Sequence, residues 1–449
     1  MGFRLARMDL LTASHDELIA LIRQQQATIA RLEQRIQELE RLSGPPRGMP
    51  GHTPGSAPER AARAPRRLRQ QQFTRPRSQP TQRVTHALTH CPTCGLALAG
   101  GSVRRTREVI EVTPTPVTIT EHVYLERCCP GCGRRHTPAA ELGGVVVGQS
   151  RFGVRLVSLI ATLREEARLP LRAIQRYLAS VHGLDLSVGA LVGALGHVAQ
   201  AGQPAVAALQ AQVRASPVVH ADETGWRESG RNGFIWTFTT PDSCYFVHGG
   251  RGKGMLDRVL EGADGVLVSD CYAAYDHYPG AQQKCWAHLL RDIHDLRVRD
   301  PADAALTTWA DAVQALHERA VAASQALAQV PAEAPARQQL RHSLLAELTA
   351  LSHPWLADAT APQAVLCRRI VKYLHALFVF VLDPAVPPTN NAAERSLRHL
   401  VIARKISGGT RSAAGTATRL TLASLFGAWR LRGLNPYDAC QQLLVSPQP

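Results

Sequence analysis

No apolar run in this 449-residue sequence approaches the ~18 residues that a membrane helix needs, and Asp9 and Glu17 interrupt anything resembling a secretory h-region. A cytoplasmic, nucleoid-associated protein with no membrane partner is the expectation. Acidic residues are scarce beside basic ones: 36 Asp plus Glu against 51 Lys plus Arg leave a formal charge of +15, with a pI near 9.8. Such an excess favours a polyanionic partner, nucleic acid first. A disulfide framework is also missing. Cys91, Cys94, Cys128, Cys129 and Cys132 cluster while Cys244, Cys271, Cys285, Cys367 and Cys440 are scattered, which reads as one metal site plus buried thiols in a reducing compartment. Hydrophobic residues at 45% exclude a wholly disordered chain, and the length suggests about three packed units.

Residues 1–43 hold a heptad seam, with Ile22, Ile29 and Ile36 at a and Leu18, Leu32 and Leu39 at d, broken only by Gln25. Ile at a with Leu at d favours a parallel two-stranded coil, so a homodimer or higher assembly is expected. Residues 44–86 form a linker rich in Pro, Gly and Arg. From Arg41 to Arg83 there are ten Arg and one acid, Glu59. Such a polycation releases counterions on DNA, so the segment is both a tether and a non-specific arm, with Arg66, Arg67 and Arg69 at its centre.

Within 87–140, Cys91-Pro-Thr-Cys94-Gly and Cys129-Pro-Gly-Cys132-Gly are two thiol turns. Each aims two sulfurs at one point, and together they match the tetrahedral shell of one structural Zn²⁺. The residues between them alternate like hairpin strands, which predicts a DNA-binding zinc ribbon. The 34-residue interval 95–128 is long for such a site, and Cys128 or His136 are alternative ligands. Residues 150–214 read as a helical domain, with Ser187 capping one helix. A helix-turn-helix is conceivable there, but Val188, Leu191, Val192, Leu195 and Val198 leave few polar groups to read bases, which favours plain packing.

At Ala215 the period changes to that of strands: SPVVHADETGW, GFIWTFTT and SCYFVHGG, with turns near Arg231-Asn232-Gly233 and Pro241-Asp242. A helix, GKGMLDRVLEG, and a fourth apolar strand, GVLVSDCYAAY, follow. Strand, strand, strand, helix, strand is the order of a ribonuclease-H-like core, in which the fourth strand lies beside the first. Asp222 and Asp270 are then expected at strand ends, converging where a cation offsets their charge. Glu394 falls in the first turns of a helix that Thr389 or Asn390 can cap; alternatively it pairs on the surface with Arg398, one turn on. The Gly249–Gly254 run is no Walker loop, because Met255 stands where Lys is required.

HADETGW, LVSDCYAAY, KCWAHLLRD and NNAAERSLR with the following Arg404-Lys405 resemble the insertion-sequence sixty-six family of bacterial transposases. The resemblance runs over nearly the whole chain. It implies a multidomain α/β protein in which a coiled coil, a zinc ribbon and a helical domain precede a ribonuclease-H-like catalytic core at 215–410, with a helical insertion at about 293–384 and a C-terminal segment at 411–449. It implies catalytic, metal-binding Asp222, Asp270 and Glu394, and two Mg²⁺ or Mn²⁺ ions. Water would first free a 3′ hydroxyl at each element end, and that hydroxyl would attack target DNA. Asp222 would then serve both ions, with Arg398, Arg404 and Lys405 on the phosphate backbone and His288 near the site. Glu223, the neighbour of Asp222, is an alternative ligand. The partners implied are transposon-end and target DNA, with accessory proteins of the same element. Rival functions are an inactive DNA-binding remnant and a nuclease of RNA hybrids.

Overall fold

The computed structural model describes residues 26–31, 34, 79–104, 106–107, 109–110, 117–139, 142–146, 150–358 and 360–445. The chain divides into two units, 1–110 and 111–449. In the first, residues 26–31 and 34 are helical, and Ile29 of the heptad seam is 53% exposed. The rest of that seam, and Arg66, Arg67 and Arg69 of the arm, lie outside the described residues. So do Asp9 and Glu17.

In the second unit, a two-residue antiparallel ladder joins β1 (Arg127–Cys128) to β2 (Arg135–His136) around the second thiol turn. The longer hairpin expected between the cysteines does not form among the described residues. Ile119 and Val123 are exposed there, so the alternation has no apolar layer to pack against.

Four helices follow: α1 (Val154–Glu165), α2 (Leu171–His182), α3 (Val188–Ala201) and α4 (Gln203–Arg214). Ser187 caps α3, its Oγ accepting the Ala190 N–H at 3.1 Å. Leu191, Leu195 and Val198 are buried in a core shared with Val157, Ile160 and Leu178, so α3 spends its apolar face on packing.

A five-stranded mixed sheet is built from β3 (Val218–Glu228), β4 (Arg231–Thr239), β5 (Cys244–Gly249), β6 (Val266–Ser269) and β7 (Gln282–Lys284) in the order β5-β4-β3-β6-β7. The first three strands are antiparallel, while β6 and β7 run parallel to β3. The β3–β4 reversal falls at Ser229-Gly230, just before the expected Arg231-Asn232-Gly233, because both residues take the positive φ (51° and 80°) that a tight hairpin turn requires.

Helices cover both faces. Between β5 and β6, α5 (Gly254–Leu260) packs Leu256 and Val259 against Val219, Trp236 and Leu267. After β7 come α6 (Trp286–Arg299), α7 (Ala304–Ala326), α8 (Pro335–Ser352), α9 (Ala364–Lys372) and the short α10 (Val379–Leu382). Their core includes Trp286, Trp309 and Phe378 and reaches Val218 and Val268 of the sheet. Last come α11 (Asn391–Ser407), α12 (Ala413–Leu431) and α13 (Pro436–Val445). Leu397 and Leu400 of α11 and Leu420 of α12 pack on Trp226, Ile235 and Phe246, opposite α5. Leu425, Phe426 and Leu444 join the core of α1 to α3, so 411–445 is part of that helical layer. No described helix is long and apolar enough to cross a membrane.

Candidate functional site

β3 pairs with β4 from His220 to Glu228 but with β6 only from Val218 to His220. Asp222 is therefore not at a strand end, as the sequence suggested. It sits in mid-strand, two residues beyond the last β3–β6 partner. Asp270 follows Ser269, the last residue of β6, so both acids lie at the edge where the parallel pairing stops.

Side chains alternate along a strand. Val219 and Ala221 lie in the core with α5, and Trp226 in the core with α11. By that alternation Asp222 faces the α11 side and Glu223 the α5 side. The contacts agree. Glu223 meets Arg251 at 3.0 Å and accepts the Tyr275 O–H at 2.6 Å, while Thr224, on the side of Asp222, accepts a bond from Arg404 of α11 at 3.0 Å.

α11 is held against β3 by Asn390, the residue before it. Its side chain does not cap the helix. Its Nδ2 donates to Ala221 O at 2.7 Å, and its Oδ1 lies 3.1 Å from His220 Nδ1. Its backbone N–H points at Cys285 Sγ, 3.1 Å away. At the other end, Gly408 ends the helix with φ 73°, and Gly409 lies so close to Arg227 O that a Cβ would stand 2.1 Å from it. Arg404 is committed to Thr224 Oγ1 and Gly225 O, so it joins α11 to β3. Arg398 and Lys405 are exposed.

This clamping brings Glu394, in the first turn of α11, to the acid edge. Its Oε1 lies 3.6 Å from His288 Nε2 of α6 and pairs with no Arg398. That oxygen is buried without a hydrogen-bond partner. Burial, then the charges of Glu223 and Asp270, push the Asp222 carboxyl up to about 7, against the Glu223 N–H that donates to it at 2.9 Å. The Tyr272 N–H holds Asp270 Oδ1 at 2.9 Å. His288 is pushed up to about 9, first by the neighbouring Cys285 and then by the charges of Asp270 and Glu394, against burial. Asp222 and Asp270 thus stand as like charges at one edge, with the orphaned Glu394 oxygen beside His288. Among the described residues, the three donors that lie within 4.8 Å of one another are those of Cys285, His288 and Glu394, not those of the three acids.

Glu223 differs. Burial raises it too, but Tyr275 and Arg251 pull it back, and Arg251 is itself raised by that pairing. The Arg251 guanidinium also stacks on Tyr272 at 4.2 Å and Phe234 at 5.2 Å. Sequence reasoning took Asn390 only as a helix cap and missed the buried Lys284. The latter donates to Ser269 Oγ at 3.2 Å behind Asp270, and burial lowers its pKa. A buried lysine at the end of a strand was the available signal.

Each thiol turn is locally complete. Gly95 N–H donates to Cys91 O at 2.9 Å and Gly133 N–H to Cys129 O at 2.8 Å, with both glycines at positive φ. Backbone amides, of Thr93 and Cys94 in one turn and of Cys132 and Gly131 in the other, lower the Cys91 and Cys129 thiols below their ordinary value. That favours the thiolates a metal takes.

Comparison with known proteins decides the family. The profile described as "Transposase IS66 family" matches residues 149–418, which span the sheet, the helices between β7 and α11, and α11 itself. The chain belongs to the IS66 transposase family. It is 27% identical over 322 residues to the uncharacterized protein y4qI of Sinorhizobium fredii, covering 65% of this chain and 59% of that protein. It is 24% identical over 389 residues to the uncharacterized protein y4hP of the same organism, covering 77% and 68%. The IS66 chain thus spans under two thirds of the first relative's length.

Proposed function

We propose that this IS66-family chain cleaves element ends and joins them to target DNA, using Asp222, Asp270 and Glu394 to hold two Mg²⁺ or Mn²⁺ ions on a ribonuclease-H-like core. One observation carries the reading: β3, β6 and α11 converge, and the acid on each belongs to one electrostatic cluster with His288 at its centre. The sheet order, with β6 and β7 parallel to β3 and helices on both faces, supports the core assignment. When bound, the ions would stabilise the charge that develops on the attacking and leaving oxygens of the phosphodiester. The chain's own work is positional. Asn390 fixes the start of α11, and the Glu223 and Tyr272 amides orient Asp222 and Asp270. Arg398 and Lys405 are exposed on the same helix, free to meet backbone phosphates.

The test is donor-end cleavage and strand transfer in Mg²⁺ beside a gel shift. Asp222→Asn, Asp270→Asn and Glu394→Gln should each lose cleavage and keep DNA binding. A triad variant cleaving at the wild-type rate removes the assignment. A wild-type chain that binds ends but never cleaves supports the inactive remnant instead.

The N-terminal modules enter as DNA-handling parts. Each thiol turn contributes two thiolates to structural Zn²⁺, so metal analysis should give one Zn²⁺ per chain, falling sharply in Cys94→Ser or Cys132→Ser. Zinc near zero without chelators would refute this. The arm containing Arg66, Arg67 and Arg69 adds sequence-independent affinity. Deleting residues 44–80 should flatten log affinity against log salt by ~0.9 per lost phosphate contact, and an unchanged slope leaves only a tether. The heptad helix pairs two chains, which sedimentation of an Ile29→Asp, Leu32→Asp variant would report.

A further inference from the structure

We propose that Cys285, His288 and Glu394 form a second kind of metal site, specific for a single borderline-soft divalent ion of the Zn²⁺ class. One donor atom from each residue lies within 4.8 Å of the other two. Two helices bring them together: Cys285 at the start of α6 and His288 one turn on in it, and Glu394 in α11. A tetrahedral Zn²⁺ with a thiolate at ~2.3 Å and N or O donors at ~2.0–2.1 Å needs donors roughly 3.3–3.8 Å apart. The His288–Glu394 separation of 3.6 Å already falls in that range, and the remaining gap closes with side-chain movement of about 1 Å.

The groups are underused as they stand. Glu394 Oε1 and His288 Nδ1 are both buried without hydrogen-bond partners. Cys285 is fully buried, with the Asn390 N–H directed at its sulfur, whereas His288 and Glu394 are 30% and 33% exposed. The sulfur is thus the floor of the site and the other two donors its mouth, with the fourth position open to solvent. A thiolate discriminates against Mg²⁺, which prefers oxygen donors. Glu394 is also shared with the proposed triad, so an ion here takes that carboxylate away from cleavage. This consequence rests on the triad reading; the binding itself does not.

Cobalt(II) serves as the probe, because thiolate ligation to it gives a charge-transfer absorption. The thiol turns also bind cobalt, so the full chain and Cys285→Ser are titrated side by side. The variant should lose one equivalent of cobalt and that equivalent's share of the charge-transfer band. His288→Asn, at a partly exposed position, should weaken the same equivalent by more than about tenfold, a loss that removing even an outer partner of a metal site can cause. Identical stoichiometry and spectra in wild type and a folded Cys285→Ser overturn the site. If Cys285→Ser does not fold, unchanged cobalt affinity in His288→Asn overturns it. Cleavage in Mg²⁺ should also be inhibited by added Zn²⁺ in wild type and at least about tenfold less sensitively in Cys285→Ser. Cobalt binding as expected with no inhibition by Zn²⁺ upholds the site and counts against the triad.

Discussion

Asp222 and Glu223 are adjacent acids on one strand, and their surroundings are opposites. Glu223 faces a sealed side, where Arg251 and the Tyr275 hydroxyl meet its oxygens. Asp222 faces the α11 side, where the amide of Glu223 donates to it and its neighbours include another carboxylate, Asp270. Burial drives both upward. Glu223 has a guanidinium hydrogen-bonded to it, whereas the His288 charge is only the weakest of the influences on Asp222. A buried carboxylate with partners is a structural element, whereas one left short of them is poised for an external cation.

The largest expected effect lies in cleavage. Asp222→Asn keeps shape but removes the charge that would balance a divalent ion, and a loss of ~4 kcal/mol in transition-state stabilisation slows cleavage about a thousandfold. Glu223→Gln should stay within about tenfold of wild type, since its carboxylate is already taken up by Arg251 and the Tyr275 hydroxyl. Donor-end cleavage rates for the two variants measure the contrast directly. A dead Glu223→Gln beside an active Asp222→Asn would invert it.

Stability should move the other way. The folded-state pKa of Asp222 is raised from 3.8 to about 7. Its contribution is therefore complete below pH 3.8 and lost as pH rises through 7, where the buried charge opposes folding. In chelator, Asp222→Asn should raise stability at pH 8 by on the order of 3 kcal/mol and leave it unchanged near pH 3.5. Thermal melts at the two pH values decide this; an equal shift at both would mean that the gain is not electrostatic. Mg²⁺ should erase the advantage, because it stabilises the charged wild type alone.

The smallest effect belongs to the sealed side. Tyr275→Phe removes the O–H that Glu223 accepts and should cost ~1–2 kcal/mol in denaturant unfolding. Cleavage should change by no more than a few-fold. A large loss of cleavage would bring Glu223 and Arg251 back into the catalytic machinery.

Much of the architecture was legible in the residues. The strand period from Val218 to Gly249, the helix after it and the apolar run ending at Ser269 all appear as elements, because each segment carries its own periodicity. Glu394 is in the first turn of its helix, as the preceding Thr389-Asn390 suggested. Other readings failed for physical reasons. Asp222 is not at a strand end, since β4 continues the ladder after β6 stops. The described residues of the alternating segments between the thiol turns are exposed and unpaired as strands, since alternation needs a layer to cover it. Asn390 was read as a cap, yet its amide turns away to His220 and Ala221.

Sequence alone determined the strongly basic charge, the two Cys-x-x-Cys turns, the three acids at issue and the order of elements between Ala215 and Asp270. These are local properties, decided by composition, spacing and period. Tertiary structure decided which neighbour, Asp222 or Glu223, shares a side with α11, because a period of two sorts residues into two sets without saying what covers each. It also decided that Cys285 and His288 meet Glu394 from over a hundred residues away, and that the C-terminal helices complete the core of α1 to α3. Those contacts come from burying apolar faces against partners distant in the chain, and no local pattern encodes the partner.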